Sequence, residues 1–342
     1  MPTTRDASPL AIWAALGAVY VIWGSTYLAI AIAVQTLPPL LSAGLRFCIA
    51  GLVLIGVVAI RRGLRVQRDQ LTAAATVGLL LIVGGNGFVV LAERTVPSGL
   101  TALIIASVPL WIVILRRLAG DRIHPSTFIG VAVGFAGVAF LVVPRGSSGA
   151  LDAGGLLLLL VATVSWATGT FLAPRLRMPR NMLLSIGSQQ LTGGVVLLVL
   201  GAAMGELAHL EPATWSTNSL LAMAYLVVFG SLVAFSAYSW LLQHAPVSLV
   251  STYAYVNPIV AVFLGALILA EPITPSIVIG AAIIVAAVAF IVTREGARQR
   301  AARIAAEPSA VGTAADERLG GRHSVSMEMT ELCRRIDEGE RV

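Results

Sequence analysis

The sequence predicts an all-α integral membrane protein with ten transmembrane helices, arranged as two five-helix repeats of inverted topology. Three observations lead to this fold class: an apolar composition, ten long apolar segments and an internal repeat. Of the 342 residues, 57% are hydrophobic and only 12% are charged. Soluble globular domains are much less apolar, since about 25% of their residues are charged.

Ten apolar segments are each long enough to cross a bilayer, which takes about 20 helical residues. They lie at residues 10–34, 38–60, 70–92, 97–115, 126–143, 152–173, 183–203, 217–242, 246–268 and 274–293. Acidic residues are rare in this part of the chain, because only 7 of the 17 lie between positions 10 and 293. The first segment is longer than the apolar region of a cleavable signal peptide, which spans about 7–15 residues. We therefore expect it to be a transmembrane helix.

The arginines predict the orientation of the helices, since basic residues favour cytoplasmic loops. Every basic residue is an arginine, and 15 of the 23 fall in cytoplasmic segments if the N-terminus lies in the cytoplasm. Only Arg94 and Arg145 then fall on the opposite side. The sequence thus predicts a multi-pass protein of a bacterial-type inner membrane with both termini in the cytoplasm. Membrane orientation also accounts for the net charge of +6, so no nucleic-acid partner is expected.

The chain contains an internal repeat that relates its two halves. An offset of 143 residues aligns Trp23 with Trp166, and an offset of 149 aligns Pro109 with Pro258. At an offset of 150, residues 121–142 match their counterparts at 11 of 22 positions. Because each repeat has an odd number of helices, the second repeat enters the membrane from the opposite side. Inverted repeats are typical of secondary transporters, which bind substrate near the midplane between the repeats.

These observations divide the chain into three regions. We expect residues 1–150 to form the first repeat, residues 151–295 the second, and residues 296–342 a cytoplasmic tail. The tail is polar and mixed in charge, which is typical of disordered segments. The two cysteines, Cys48 in a predicted helix and Cys333 in the tail, do not indicate a disulfide framework.

Four motifs resemble the EamA branch of the drug/metabolite transporter superfamily, and the resemblance covers roughly residues 10–295. They are VIWGSTYLAI (21–30), GNGFVVLAERTVPSGLTALI (85–104), STYAYVNPIVAV (251–262) and LAEPIT (269–274). The resemblance implies ten transmembrane helices and the export or exchange of small metabolites without ATP. Members of the family act on chemically diverse solutes, so the resemblance does not fix a substrate.

The segment around Asn257 and Pro258 is the first candidate site. A proline in a helix leaves the carbonyl four residues earlier without its hydrogen bond, and hydrocarbon tolerates this only where protein or water satisfies that group. We predict helix kinks at Pro109 and Pro258. Two interpretations of the segment are open: its polar groups satisfy each other, or the kinked helix lines a substrate cavity. Tyr253 shares a helix face with Asn257, whereas Tyr255 lies on another face.

The candidate substrate-binding residues are aromatic or polar side chains within predicted spans. They are Trp23, Tyr27, Arg46, Asn86, Trp111, Trp166, Tyr238, Tyr253, Tyr255 and Asn257. Aromatic walls with a few polar groups suit a flat or amphipathic organic solute. Helix packing is the alternative role for the aromatic residues, and a lipid-facing position is a further alternative for Trp111.

Arg46 lies about two turns inside the second predicted span, where a charge is expensive and usually functional or paired. One hypothesis is that Arg46 forms an ion pair with Glu93 or binds a substrate carboxylate, and the alternative is a purely structural role. Glu93 is predicted near the outer end of the third span, on the same face as Asn86. Glu271 is predicted to cap or orient the helix that follows Pro272.

The function predicted from these features is a secondary transporter that works by alternating access. It exports or exchanges small organic metabolites or drugs, with amino-acid-like or aromatic solutes among the candidates. The expected partners are a small-molecule solute and the lipid bilayer, with no cofactor, no metal and no feature that supports a homodimer. The alternatives are a lipid-acting enzyme, which needs gathered reactive groups, and a channel, which needs filter loops or charged rings. Proton antiport, exchange and facilitated diffusion are all open as coupling modes.

Overall fold

The computed structural model describes residues 8–63, 66–121, 123–142, 152–245 and 247–306. Within these ranges the chain forms helices and no strand. Nine of the described helices are long and apolar enough to cross a bilayer, and a shorter apolar helix, Tyr253–Leu269, makes a tenth. The predicted all-α membrane fold is therefore confirmed.

The ten helices follow the predicted apolar segments closely. They are α1 (Pro9–Ala33), α2 (Pro39–Arg62), α3 (Arg68–Ala92), α4 (Ser98–Leu118), α5 (Pro125–Val142), α6 (Ala153–Leu172), α7 (Met182–Ala203), α8 (Thr217–Tyr225, Leu226–Val233 and Ala234–His244), α9 (Tyr253–Leu269) and α10 (Pro275–Ala306). A short helix, Val247–Val250, precedes α9, and 3₁₀ turns lie at Ala173–Arg175, Glu206–His209 and Pro212–Thr214.

The end of α10 differs from the prediction. The helix continues to Ala306, whereas its apolar segment ends at residue 293, so the first residues of the predicted tail are helical. Arg294 ends the compact helical bundle, and Glu295 begins a second unit. The rest of the predicted tail, including Cys333, lies outside the described residues.

Prolines and capping side chains account for where several helices begin. A proline has no N–H to leave unpaired in the first turn of a helix, and a capping oxygen accepts one of the free N–H groups there. Prolines open α1, α2, α5 and α10 at Pro9, Pro39, Pro125 and Pro275. Side-chain caps are Ser8 at α1, Asp152 at α6, Asn181 at α7 and Ser216 at α8. The helix boundaries therefore follow largely from local sequence.

Helices α2 and α7, which correspond in the two repeats, pack against each other in antiparallel orientation. Glycines allow the two backbones to approach closely. A Cβ atom added to Gly51 would lie 2.8 Å from Gly187 O, and one added to Gly194 would lie 2.7 Å from Cys48 N. Residue 51 lies beside residue 187 and residue 48 lies beside residue 194, so α2 and α7 run in opposite directions.

The first helix of each repeat packs on the third helix of the other repeat. Along α1 and α8, Ser219 Oγ donates to Ile32 O at 2.7 Å, and Ser25 Oγ lies 2.7 Å from the Tyr225 hydroxyl. Along α6 and α3, Ser165 Oγ donates to Leu80 O at 2.9 Å. The pairs α1–α8 and α6–α3 therefore correspond to each other under the repeat.

The two ends of the bundle differ in charge. At one end, Arg177 Nη1 lies 3.1 Å from Asp69 Oδ2, and Arg175 Nη2 lies 3.4 Å from Asp121 Oδ2. These ion pairs join three of the arginine-rich loops, which follow α2, α4 and α6. At the other end, Glu206 accepts hydrogen bonds from Leu40 N at 3.1 Å and from the next backbone N–H at 2.8 Å.

Glu271 caps α4 and not the helix that follows Pro272, so that prediction was wrong. Its carboxylate accepts three hydrogen bonds, from Ser98 N at 2.7 Å, Ser98 Oγ at 2.8 Å and Gly99 N at 2.9 Å. The first N–H groups of a helix have no partner within it and carry partial positive charge, so a carboxylate is stabilised there. The end of α9 is thereby fixed to the start of α4.

Two long helices change locally to π-helix at corresponding positions of the two repeats. These π segments are Leu79–Gly87 in α3 and Leu226–Val233 in α8. A π-helix is rare and often marks a functional site. The α3 segment packs against α6 and α7, and the α8 segment packs against α1 and α2. The residues packed against the two π segments are therefore candidates for the functional site.

Candidate functional site

Trp23 lies at the centre of an aromatic cluster formed by α1, α8 and α9. Its ring centroid lies 5.1 Å from Phe235, 5.1 Å from Tyr238 and 5.2 Å from Tyr253. The Tyr238 and Tyr253 rings are 5.7 Å apart and nearly perpendicular. Edge-to-face contacts of this kind are the favoured geometry of aromatic pairs. The structure thus brings three of the predicted binding residues together with Phe235, and we call this set the aromatic cluster.

Close contact between α1 and α9 positions the cluster. A Cβ atom added to Gly24 would lie 2.7 Å from Val260 Cβ, so a glycine is required for this approach. With its nitrogen turned towards them, the Asn257 amide donates to Tyr20 O and Tyr253 O, both at 3.3 Å. Asn257 thus joins α9 to α1 through the Tyr20 carbonyl.

The helix is interrupted next to Pro109 but continues through Pro258. α4 is interrupted between Ser98–Ile105 and Val108–Leu118, directly before Pro109. α9 continues as a helix through Pro258, and the chain is interrupted earlier, between Val247–Val250 and the start of α9. The hydroxyl of Thr252, at this interruption, is hydrogen-bonded to that of Tyr20. The interruption that precedes α9 therefore lies nearer the aromatic cluster than Pro258 does.

Arg46 reaches from α2 to the π segment of α8. The side chain is only 4% exposed, and its Nε donates to Ser231 Oγ at 2.8 Å. Gln190 of α7 donates from Nε2 to the backbone oxygen of Ser231 at 3.2 Å. On the same turn, Trp23 Nε1 donates to Gly230 O at 3.4 Å. The indole of the aromatic cluster and the guanidinium therefore meet at one turn of α8, Gly230–Ser231.

The predicted ion pair between Arg46 and Glu93 is not present in the structure. The Arg46 guanidinium turns towards α8, whereas Glu93 follows the last residue of α3. Glu93 is 7% exposed, and neither of its carboxylate oxygens has a hydrogen-bond partner among the described residues. The two charges interact only at longer range.

Tyr27 follows Trp23 by one turn of α1 and packs against the hydrophobic core that includes Leu103 and Leu110. Tyr27, Tyr238 and Tyr253 are all half-buried. The aromatic cluster and the buried Arg46 lie on neighbouring helices, because α1 packs on α8 and α9 and α2 packs on the α8 π segment.

Comparison with known proteins identifies the family. The model of the EamA-like transporter family matches residues 9–143 and 153–293. The chain belongs to the EamA-like transporter family. The predicted membership of the drug/metabolite transporter superfamily is thereby confirmed, and a general role as a membrane transporter follows from it.

Individual relatives agree with this transporter family. The chain is 39% identical to the uncharacterized inner membrane transporter YedA of Escherichia coli (strain K12) over 257 residues, which cover 75% of this chain and 82% of YedA. It is 28% identical to the uncharacterized transporter YvbV of Bacillus subtilis (strain 168), over 88% of this chain and 96% of YvbV. It is 24% identical to a probable amino-acid metabolite efflux pump of Salmonella typhimurium, over 78% of this chain and 90% of the pump. A solved crystal structure with 23% identity covers 85% of this chain and 99% of its own, with a TM-score of 0.59, and shares the fold.

Besides Tyr27, Arg46 and Asn257, four further predicted binding residues of this transporter lie outside the aromatic cluster. Trp166 packs on the α3 π segment, where a Cβ atom added to Gly85 would lie 2.5 Å from its ring. Asn86 donates to Leu81 O of the same helix at 3.3 Å. Trp111 packs on Phe135 of α5 with ring centroids 4.8 Å apart. Tyr255 of α9 packs against the main hydrophobic core.

Sequence patterns did not identify the side chains around Arg46. Ser231 accepts a hydrogen bond from Arg46, and Gln190 donates to the Ser231 carbonyl. Both residues are fully buried and lie on different helices. A buried serine in an apolar helix is a weak signal by itself. The repeat offset of 143 residues also aligns Arg46 with Gln189, and this polar pair was the available signal for polar groups at this depth in both halves.

Proposed function

We propose that this protein is a secondary transporter that exports or exchanges small organic solutes carrying an aromatic ring and a carboxylate, such as aromatic amino acids. The observation that carries the proposal is the meeting of Trp23 and Arg46 at Gly230–Ser231. An aromatic wall recognises a flat apolar group. A guanidinium recognises a carboxylate through charge-assisted hydrogen bonds. A solute with both groups could contact both side chains at once.

The proposed mechanism is alternating access between two inverted repeats, residues 1–150 and 151–295. The antiparallel packing of α2 on α7 and the corresponding pairs α1–α8 and α6–α3 support this symmetry. Solute bound between repeats is exposed to one side of the membrane when one repeat tilts against the other. The helices can bend at the interruption within α4, at the interruption before α9 and at the two π segments.

We further propose that both termini lie in the cytoplasm of a bacterial inner membrane. The arginine-rich loops meet at one end of the bundle through Arg175 and Arg177, which is the pattern of a cytoplasmic face. Glu206 and Glu271 cap helices at the opposite end. The name of the Salmonella typhimurium relative, a probable amino-acid metabolite efflux pump, supports amino-acid-like solutes as the substrate class.

Counterflow in proteoliposomes tests this proposal. Vesicles that contain purified protein are loaded with unlabelled L-phenylalanine and diluted into labelled L-phenylalanine, with L-lysine as a cationic control solute. We expect saturable uptake that is stimulated by L-phenylalanine inside the vesicles and only weakly by L-lysine. Equal stimulation by both solutes would contradict the substrate class. Absence of saturable flux for a broad solute panel would contradict the carrier mechanism itself.

A further inference from the structure

Glu93 is a buried carboxyl group for which the structure provides no hydrogen-bond donor. It follows the last residue of α3 and is 7% exposed, and both oxygens lack a partner among the described residues. Burying an ionised carboxylate without a partner costs several kcal/mol even after relaxation. A polar group is retained under this penalty where it binds something that is absent from the static fold.

The charged and titratable groups that interact with Glu93 come from three other elements. They are Arg46 from α2, Glu271 after α9 and Tyr27 from α1. With both carboxylates ionised, the set of Arg46, Glu93 and Glu271 has an excess negative charge. It becomes neutral when one carboxylate binds a proton or a cationic group.

The surroundings of the two carboxylates decide which one binds the extra positive charge. Glu271 accepts three hydrogen bonds from the start of α4, which stabilise its ionised form. Glu93 accepts none. The proton therefore belongs on Glu93, and a cation that reached Glu93 would have to displace that proton.

We propose that Glu93 is a coupling site at which a proton and the ammonium group of the solute compete. The inference rests on the proposed function, and it assigns the second charged group of the solute and the direction of coupling. Arg46 binds the carboxylate of the solute, while its ammonium group pairs with ionised Glu93. The Glu93 proton is released to water when the ammonium group binds and returns when the solute leaves. Competition of this kind makes the protein a proton/solute antiporter.

The separation of Arg46 and Glu93 supports this assignment. The two opposite charges do not pair with each other, because the Arg46 guanidinium is held at Ser231 of α8. Arg46 is held at Ser231 by Nε, which leaves its other two nitrogens for a ligand. A site that keeps a cation and a carboxyl group apart matches a solute with both an anionic and a cationic group.

Three related probes separate the two halves of the proposal. L-phenylalanine has both charged groups, 2-phenylethylamine has only the ammonium group, and 3-phenylpropionate has only the carboxylate. Purified protein in a weakly buffered solution with a pH dye is mixed with each probe. We expect proton release with L-phenylalanine and 2-phenylethylamine and none with 3-phenylpropionate. While Glu93 is protonated in the free protein, the dissociation constant of 2-phenylethylamine should rise about tenfold for each unit by which the pH is lowered.

Variants assign the proton to one residue. Glu93→Gln should abolish proton release and the pH dependence of 2-phenylethylamine binding. Glu93→Asp keeps a carboxyl group and should retain both, which separates loss of the group from loss of the fold. Glu211→Gln is the matched control, because Glu211 is an exposed glutamate in the loop before α8 and should release protons like the wild type.

Infrared spectroscopy tests the protonation state without any solute. The wild-type protein and Glu211→Gln should show the C=O stretch of a protonated carboxylic acid at neutral pH, and Glu93→Gln should lack it. Absence of this band in the wild type would overturn the proposal. Failure of 2-phenylethylamine to bind or to release protons would overturn it too, whereas L-phenylalanine counterflow would still stand and leave the proposed function intact.

Discussion

The two π segments occupy corresponding positions in the repeats but have different chemical surroundings. The α8 segment contacts Arg46 through Ser231 and the Trp23 indole through Gly230. The α3 segment carries glycines there, and a Cβ atom added to Gly85 would lie 2.5 Å from the Trp166 ring. The α8 segment therefore has a buried charge beside it, whereas the α3 segment packs on an indole and accepts a hydrogen bond from the Ser165 hydroxyl.

This difference shows that the repeats share their helix geometry, whereas their chemistry differs at single positions. The repeat provides paired helices and paired tryptophans, which form a scaffold of similar geometry on both sides. The chemistry differs at single positions, since Arg46 corresponds to Gln189, whose Nε2 donates to Ser185 Oγ within its own helix at 3.1 Å. A solute with one charged end and one apolar end fits such an asymmetric site better than a symmetric one.

The largest effect is expected from Arg46→Gln. Glutamine can still donate to Ser231, so the contact with the α8 π segment survives while the charge is lost. Hydrogen bonds to a charged group contribute about 1.5–3 kcal/mol, so L-phenylalanine counterflow should fall roughly 10–100-fold. Arg61→Gln, at the exposed end of α2, is the matched control and should transport like the wild type. Full activity of Arg46→Gln with a normal size-exclusion profile would remove the functional difference between the two segments.

The two corresponding tryptophans should respond differently to alanine substitution. Trp23→Ala removes three aromatic contacts, each of which contributes about 0.5–1.5 kcal/mol, and should raise the half-saturation concentration of L-phenylalanine about tenfold. Trp166→Ala should lower the thermal midpoint in detergent with a much smaller change in half-saturation. Trp13→Ala controls for loss of an indole from α1, because Trp13 is 60% exposed. Equal changes in half-saturation for Trp23→Ala and Trp166→Ala would show a symmetric site.

Alanine at the two glycines compares the packing of the segments directly. In Gly85→Ala the new Cβ would lie 2.5 Å from the Trp166 ring, an overpacking that costs about 1–3 kcal/mol and should lower the thermal midpoint. In Gly230→Ala it would lie 3.1 Å from Arg46 Nη2, the movable end of a long side chain. We expect little change in its thermal midpoint but weaker transport, because the guanidinium shifts. The reverse order of thermal midpoints would contradict the packing described for the two segments.

The smallest effect is expected from Asn86→Ala. The Asn86 amide makes one long hydrogen bond, 3.3 Å to Leu81 O within the α3 π segment. The loss of such a hydrogen bond costs about 0.5–1.5 kcal/mol, so thermal stability should fall slightly and L-phenylalanine half-saturation should not change. A tenfold loss of transport would place Asn86 in the binding site and extend that site to the α3 segment.

Much of the fold could be predicted because its determinants are local. The apolar length of most segments fixes a helix within a few residues of its observed ends, the start of α9 and the end of α10 being the exceptions, and prolines and capping residues mark several starts. Trp23, Tyr238 and Tyr253 could be nominated because aromatic residues recur at helical spacing in the spans. The spacing alone did not distinguish Trp23 from Trp166, because the two occupy equivalent positions in a repeat.

The sequence by itself determined the helices, their repeat, the membrane family and the presence of a buried arginine, since each depends on neighbouring residues or on a periodic pattern. Only the tertiary structure decided that Arg46 binds Ser231, that Glu271 caps α4 and that Glu93 has no hydrogen-bond partner in the described part of the chain. These outcomes depend on contacts between residues more than 170 positions apart in the chain, as for Arg46 with Ser231 and Ser98 with Glu271. A hydrogen bond forms over about 3 Å, so its partner is set by how the helices pack and not by the pattern within any one helix.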